Sequence, residues 1–170
     1  MESKFKTIAA SELNGNFIKM IGTDWMLITA GKTEDYNTMT AAWGGIGYLW
    51  QKPVAYTFVR PVRHTFLYTE KYEYFTLCFF DEKYRDVLNF CGAKSGKNVN
   101  KAAETGLIPF SVDEVSTAFS QAKLIILCRK IYSDNVKPEN FIDKSIERHY
   151  PLKDYHRMYI GEIVKCYVEK

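Results

Sequence analysis

The sequence predicts a mainly β protein, a β-barrel with flanking helices. Three observations predict it. Tyr (12) and Phe (11) are heavily used in a chain of 170 residues, and both favour strands. Apolar runs of strand length outnumber helical patterns, and they do not alternate with helices as regular βαβ units would. No G-x-G-x-x-G follows the first strong strand, and the Gly-Lys at 96–97 lacks both Walker A spacing and its Ser or Thr, with Asn98 there instead. Long strands of this kind can curve into a closed sheet with helices over its ends.

Taken in order, Ser11 is a candidate N-cap for a short helix over 11–21, with Leu13, Phe17, Ile18 and Ile21 on one face. Trp25 to Ala30 is a continuous apolar strand closed by Gly31, and 32–36 is a polar loop. Thr38 to Trp43 is the second strand, followed by a bend with Gly44, Gly45 and Gly47. Val54 to Arg60 is the third. Thr65 and Thr69 have the spacing of one helical turn within 64–72. Tyr74 to Phe80 is a strand. Asp81 caps a helix over 82–91, with Val87, Leu88 and Cys91 inward and Gly92 as its C-cap. A second short helix over 98–105 ends at Gly106. Pro109 opens an irregular stretch with a short strand at Ala118-Phe119. Lys123 to Tyr132 is a long strand, then a loop around Pro138. Arg157 to Val168 is the last strand, with a bulge near Gly161. The absence of repeats and Gly/Ser linkers implies one domain over 1–170, its core about 22–168.

Composition narrows the function classes. The net charge is +3 with signs interspersed, and the densest lysine run, Lys94–Lys101, carries three lysines. A nucleic-acid surface carries a larger one-sided patch, so a local anionic ligand is expected and no nucleic acid. No apolar run approaches the ~20 residues of a membrane span. The start, Met-Glu-Ser-Lys-Phe-Lys, has no apolar signal core, so the expected location is cytoplasmic and no membrane is expected. Cys78, Cys91, Cys128 and Cys166 are widely spaced and predict packed, reduced thiols. With three scattered histidines, no metal site is expected.

The chemistry-bearing segments are 37–47 and 59–65. Small side chains after Asn37, Thr38, Met39, Thr40 and Ala41 let a flat ligand approach the backbone. Arg60, Arg63 and Thr65 supply charged and hydroxyl donors suited to a phosphate, with Pro61 stiffening the turn between the arginines. Thr38 and Thr40 alternate, so they share one strand face. Ser95-Gly96-Lys97 can form a nest of donors for an anion, or a solvated loop after a helix. Trp43 lies next to these segments. His156 fits a satisfied structural or surface histidine better than a catalytic one. No Ser-His-Asp or Cys-His arrangement points to a nucleophile.

Five blocks, Trp25–Gly31, Asn37–Gly44, Phe58–Thr65, Gly92–Lys101 and Asp154–Ile163, together resemble the flavin reductase-like, FMN-binding split-barrel family, most closely its flavoredoxin-like branch. The resemblance spans Trp25 to Ile163. It implies a six-stranded Greek-key barrel that dimerises and binds FMN in a groove at the dimer interface. Backbone and hydroxyls of Thr38, Met39, Thr40, Ala41 and Ala42 would then face the flavin ring, flanked by Asn37 and Trp43. Arg60, Arg63 and Thr65 would hold the ribityl phosphate, and Ser95, Lys97 and Lys101 would add anion contacts. His156 would sit near the face open to substrate. Related reductases have Gly-Asp-His in this block, whereas Tyr155 here separates Asp154 from His156. The implied activity is an NAD(P)H-dependent flavin or acceptor reductase, with NADH or NADPH passing hydride to flavin N5. The alternatives are an electron-transfer flavoprotein served by a redox protein partner, and a non-catalytic split-barrel module.

Overall fold

The computed structural model describes residues 4–170. Ten strands and four helices follow one another: β1 (Phe5–Ile8), α1 (Phe17–Gly22), β2 (Met26–Lys32), β3 (Asp35–Ala41), β4 (Gly44–Leu49), β5 (Lys52–Val59), α2 (Thr65–Lys71), β6 (Tyr74–Phe79), α3 (Arg85–Ala93), α4 (Lys101–Thr105), β7 (Pro109–Val112), β8 (Ser116–Phe119), β9 (Leu124–Asn135) and β10 (Arg157–Glu169). The main sheet has eight strands rather than six, in the order β3-β2-β6-β9-β10-β5-β4, with β1 added on β10. Its recorded pairings are antiparallel.

The sheet curls around one apolar cluster that includes Met26, Ile28, Met39, Ala55, Val59, Phe75, Leu77, Ile126, Tyr159 and Ile163. Its two ends, β3 and β4, do not pair with each other. Only residues 42–43 separate them in sequence, and β4 lies close to β2 and α1: a Cβ on Gly44 would stand 3.2 Å from Met26 Cε and 3.9 Å from Ile21 Cγ2. Helix α1 therefore packs at the seam. A second cluster, with Leu27, Phe80, Leu88, Cys91, Phe119 and Ile125, fills the outer face of the sheet beneath α3, α4 and the β7–β8 hairpin.

Local chemistry explains several differences from the expected elements. Asn16, not Ser11, caps α1, accepting from Lys19 N at 3.0 Å. Ser11 belongs to a 3-10 turn, and Ile18 points to solvent at 87% exposure. The polar loop shrinks to a two-residue turn at 33–34, because Lys32 already pairs with Asp35. The glycine bend is strand β4. Gly45 and Gly47 lie under the Tyr56 ring of β5, where a Cβ would meet it at 3.7 and 3.2 Å. The β4–β5 turn places Trp50 and Gln51 at φ 51° and 58°, the mirror-turn geometry that matches sheet twist without its usual glycine. Gly92 lies inside α3 and Lys94 is the C-cap. Its bare backbone approaches Thr40 closely, since a Cβ would lie 3.3 Å from Thr40 Cβ. Asp81 makes no side-chain cap; 82–84 is a 3-10 turn leading into α3.

Asn100 caps α4 through Ala103 N, and Gly106 closes it in the left-handed conformation at φ 70°. Pro109 begins a strand, and the β7–β8 hairpin is fixed by Thr117 Oγ1 donating to Gly31 O at 3.0 Å. In β10 the register shifts between Ile160 and Gly161, and again between Ile163 and Lys165. All four cysteines are free and buried, and burial pushes Cys91 up to about 11 and Cys78 to about 12. Among the described residues no His/Cys/Asp/Glu cluster is arranged for a metal, and no helix is long and apolar enough to cross a membrane.

Candidate functional site

The site grows from the free edge of β3. Nothing pairs with that edge, so alternate residues present backbone N–H and C=O outward. Thr38 O is one of these groups and accepts from Lys101 Nζ at 2.7 Å. The same ammonium donates to Cys91 O at 2.7 Å, tying β3 to α3 and α4. By the two-residue period, the Thr40 backbone faces the same way. Lys101 is 5% exposed, and burial with the nearby Arg63 charge brings its pKa down to about 8, Cys91 opposing.

Two grooves run along this edge. The smaller, about 230 Å³, is bordered by Met39 to Trp43, Phe58, Arg60, Arg63 and His156. The larger, about 480 Å³, is bordered by Thr33 to Thr38, Tyr68 and Gly96 to Ala102, within the usual size range of ligand clefts. The sequence-predicted residues gather here, with changed roles. Thr38 and Thr40 share a face, but it is the face against α3. Thr38 Oγ1 is buried against Thr29 Oγ1 at 2.8 Å, and Thr40 Oγ1 gives its proton to Leu88 O, so neither hydroxyl is left as a free donor for a ligand. Met39 and Ala41 point into the barrel. The edge therefore offers backbone rather than hydroxyls.

Asn37 donates through Nδ2 to Thr65 Oγ1 at 3.1 Å, and Thr65 is 1% exposed. Thr65 thus fixes Asn37 and is not open to a phosphate. Gly96 lies directly on that amide, where a Cβ would stand 2.1 Å from Asn37 Oδ1, so only glycine lets the 95–97 loop lie over β3. Ser95 Oγ accepts from Lys97 N at 3.3 Å and shapes the loop, while Lys97 borders the larger groove.

The arginines diverge. Arg60 Nη1 donates to both oxygens of Asp154 at 2.9 Å, Nη2 donates to His149 O at 2.7 Å, and the guanidinium lies 5.1 Å from the Tyr150 ring centroid. Its charge is already matched, and it holds the Asp154 carboxyl below the usual range. Arg63 donates from Nη1 to Gly92 O at 2.7 Å, and among the described residues its other guanidinium donors have no hydrogen-bond partner. Trp43, 41% exposed, meets the ring of His156 at 4.9 Å. His156 bonds the Tyr150 hydroxyl through Nδ1 at 2.9 Å. Burial first, then the Arg60 charge, lower its pKa to about 4, so it is neutral at ordinary pH.

Phe58, Tyr68, Tyr150 and Asp154 belong to the site although no local pattern marks them. Phe58 alternates within an ordinary strand, and Asp154 meets Arg60 across 94 residues. The usable signals were the Phe58–Thr65 and Asp154–Ile163 blocks, which contain two of these four residues; nothing in the sequence marked Tyr68 or Tyr150.

No protein-family model and no curated protein matches the chain. Solved structures do. Flavoredoxin of Desulfovibrio vulgaris (Miyazaki F) superposes with a TM-score of 0.68 at 23% identity, covering 87% of this chain and 70% of its own. An FMN-binding domain of a flavin reductases-like enzyme from Shewanella baltica gives 0.70 at 15% identity, covering 97% and 77%. Nitrilotriacetate monooxygenase component B from Bacillus cereus gives 0.67 at 16% identity, covering 97% and 82%. At these identities the likeness is one of fold.

Proposed function

We propose that this chain, which has the flavin reductase-like split-barrel fold, is an FMN-binding oxidoreductase that takes hydride from NADH or NADPH and passes electrons to a second acceptor. The observation that carries the reading is the open edge of β3 with a groove at each half. One is bordered by Trp43, Arg63 and His156, the other by Lys97 and Lys101.

The residues present fit an FMN, with roles redistributed from those the family resemblance implies. The flat ring would lie against the backbone of Thr40 to Ala42, where small side chains allow close approach, with Trp43 at its side. The phosphate would fall to Lys97, to the Lys101 ammonium and to the free donors of Arg63, because Arg60 is held by Asp154. Bound flavin supplies reversible hydride acceptance and electron release. The chain's own part is to orient and to exclude water. His149, Tyr150 and His156 crowd the Trp43 ring and close one wall of the smaller groove. Neutral His156 adds no charge there. We propose in addition that a second copy completes the groove.

One observation favours an electron carrier served by a protein partner as the second reading. Arg60 is ion-paired with Asp154, and Arg63, the other arginine bordering the smaller groove, is already assigned to the FMN phosphate, which leaves no unmatched arginine there for the phosphates of a nicotinamide nucleotide.

The test is the absorbance spectrum of purified protein, with released flavin identified by chromatography and NADH or NADPH added anaerobically. Stoichiometric FMN that bleaches on nicotinamide supports the reductase. FMN that bleaches only with dithionite supports the carrier. Protein that is colourless and cannot be loaded with FMN overturns both.

A further inference from the structure

Tyr150 stands behind the smaller groove, nearly buried, with its hydroxyl 2.9 Å from His156 Nδ1. The direction of that hydrogen bond fixes the state of the imidazole. A buried hydroxyl proton needs an acceptor, and among the described residues Nδ1 is the acceptor Tyr150 has. When Tyr150 donates to Nδ1, the ring proton sits on Nε2. Among the described residues Nε2 has no hydrogen-bond partner, it is not sealed in the interior, and the ring borders the groove, so Nε2–H opens into it.

The surroundings favour a neutral ring. Arg60 stacks on Tyr150, Arg63 borders the same groove, and both disfavour an imidazolium. Asp154 opposes them but is itself paired with Arg60. His149 approaches only through the edge of Trp43. The groove thus combines an apolar wall from Trp43 and Phe58, two cationic side chains and one neutral N–H donor. That set suits a planar molecule whose oxygen gains negative charge on reduction. A neutral imidazole donates to such an oxygen without itself changing charge.

We propose that Tyr150 is a positioning residue that holds His156 in its Nε2–H tautomer, and that the second substrate is a quinone whose carbonyl oxygen accepts that hydrogen bond. The substrate half rests on the flavin reading above. The quinone would take up a hydride equivalent supplied by bound reduced flavin and a proton from water, giving the hydroquinone. The imidazole keeps its proton throughout and stabilises the oxygen as charge develops.

The test has two parts. Histidine nitrogen NMR on flavin-free protein near neutral pH should show His156 protonated on Nε2 and bare on Nδ1. Tyr150→Phe should populate both tautomers. A proton on Nδ1 in the unaltered protein, or an unchanged Tyr150→Phe spectrum, overturns the positioning role. Loaded, dithionite-reduced protein is then reoxidised anaerobically by a benzoquinone or by ferricyanide, which needs no hydrogen bond. Tyr150→Phe should slow the quinone about tenfold, less than outright loss of an oxyanion donor costs because the Nε2–H tautomer stays partly populated, and should slow ferricyanide much less. His156→Phe should be at least as slow with quinone, and His156→Gln, which keeps a neutral N–H, should recover part of the rate. Equal quinone rates in all variants, or both acceptors slowed alike, overturn the quinone assignment. Protein that takes up no flavin fails the flavin reading alone, and the NMR result still decides the tautomer.

Discussion

Arg60 and Arg63 lie one turn apart in sequence, yet their environments give them different jobs. Asp154 engages Arg60, whereas the Arg63 guanidinium, among the described residues, donates to a helix carbonyl and borders the groove. Arg63→Ala is therefore expected to weaken FMN binding by about 2–3 kcal/mol, the scale of removing one partner of a charged hydrogen bond. Calorimetry on flavin-free protein checks this, and unchanged affinity removes Arg63 from the site. His156 makes a second prediction. Its pKa is about 4 in the folded chain against an ordinary 6.5. Above 6.5 both folded and unfolded forms are neutral there and pH has no effect through this group. As pH falls from 6.5 toward 4 the unfolded chain takes up the proton and the native one does not, so stability drops, by about 3 kcal/mol in full. Urea denaturation across that range should show the loss, and His156→Phe should flatten it. At this scale the sequence marked Trp43, Arg63, Lys97, Lys101 and His156 as neighbours. It could not show that Arg60 is neutralised, because the partner carboxylate arrives from another segment.

Strand β10 illustrates how elements are set by single positions. The shift at Gly161 was legible as a glycine interrupting an apolar alternation. The structure adds its cause: a Cβ there would stand 2.6 Å from Phe75 Cζ and 2.8 Å from Cys128 Cβ. Gly161→Ala should therefore destabilise by about 1–3 kcal/mol, the cost of overpacking a closed core, measured by thermal or urea unfolding. Strands β2, β6 and the first half of β9 were legible because burial on both faces leaves little room for polar residues, and β10 was legible by its apolar alternation. Strands β1, β4 and β7 were not. β1 buries one residue, Phe5; β4 is half glycine, its apolar cover lent by Tyr56; β7 begins at a proline. Their strand character comes from what packs on them, which no local pattern records.

At the level of the whole molecule, curl and seam follow from antiparallel pairing of strands that share one apolar face. That much could be expected from composition. The eight-strand count could not, because it depends on where short segments add. The outer strands β3 and β4 both end unpaired, and Tyr48 and Trp50 are exposed at the β4–β5 tip, 72% and 56%. A second copy covering such surface fits the dimer we propose. Light scattering at micromolar protein should give twice the chain mass, and a monomer would count against a shared groove.

The position of β10 bears on how this chain is made. It is translated after every other strand, yet it lies in the middle of the sheet, between β9 and β5, and also receives β1. Until residues 157–169 leave the ribosome, β5 and β9 are two separated, unsatisfied borders, and the first strand has nowhere to dock. Closure of the sheet therefore waits for β10, and until it arrives the borders of β5 and β9 are open edges of the kind that invite wrong pairing.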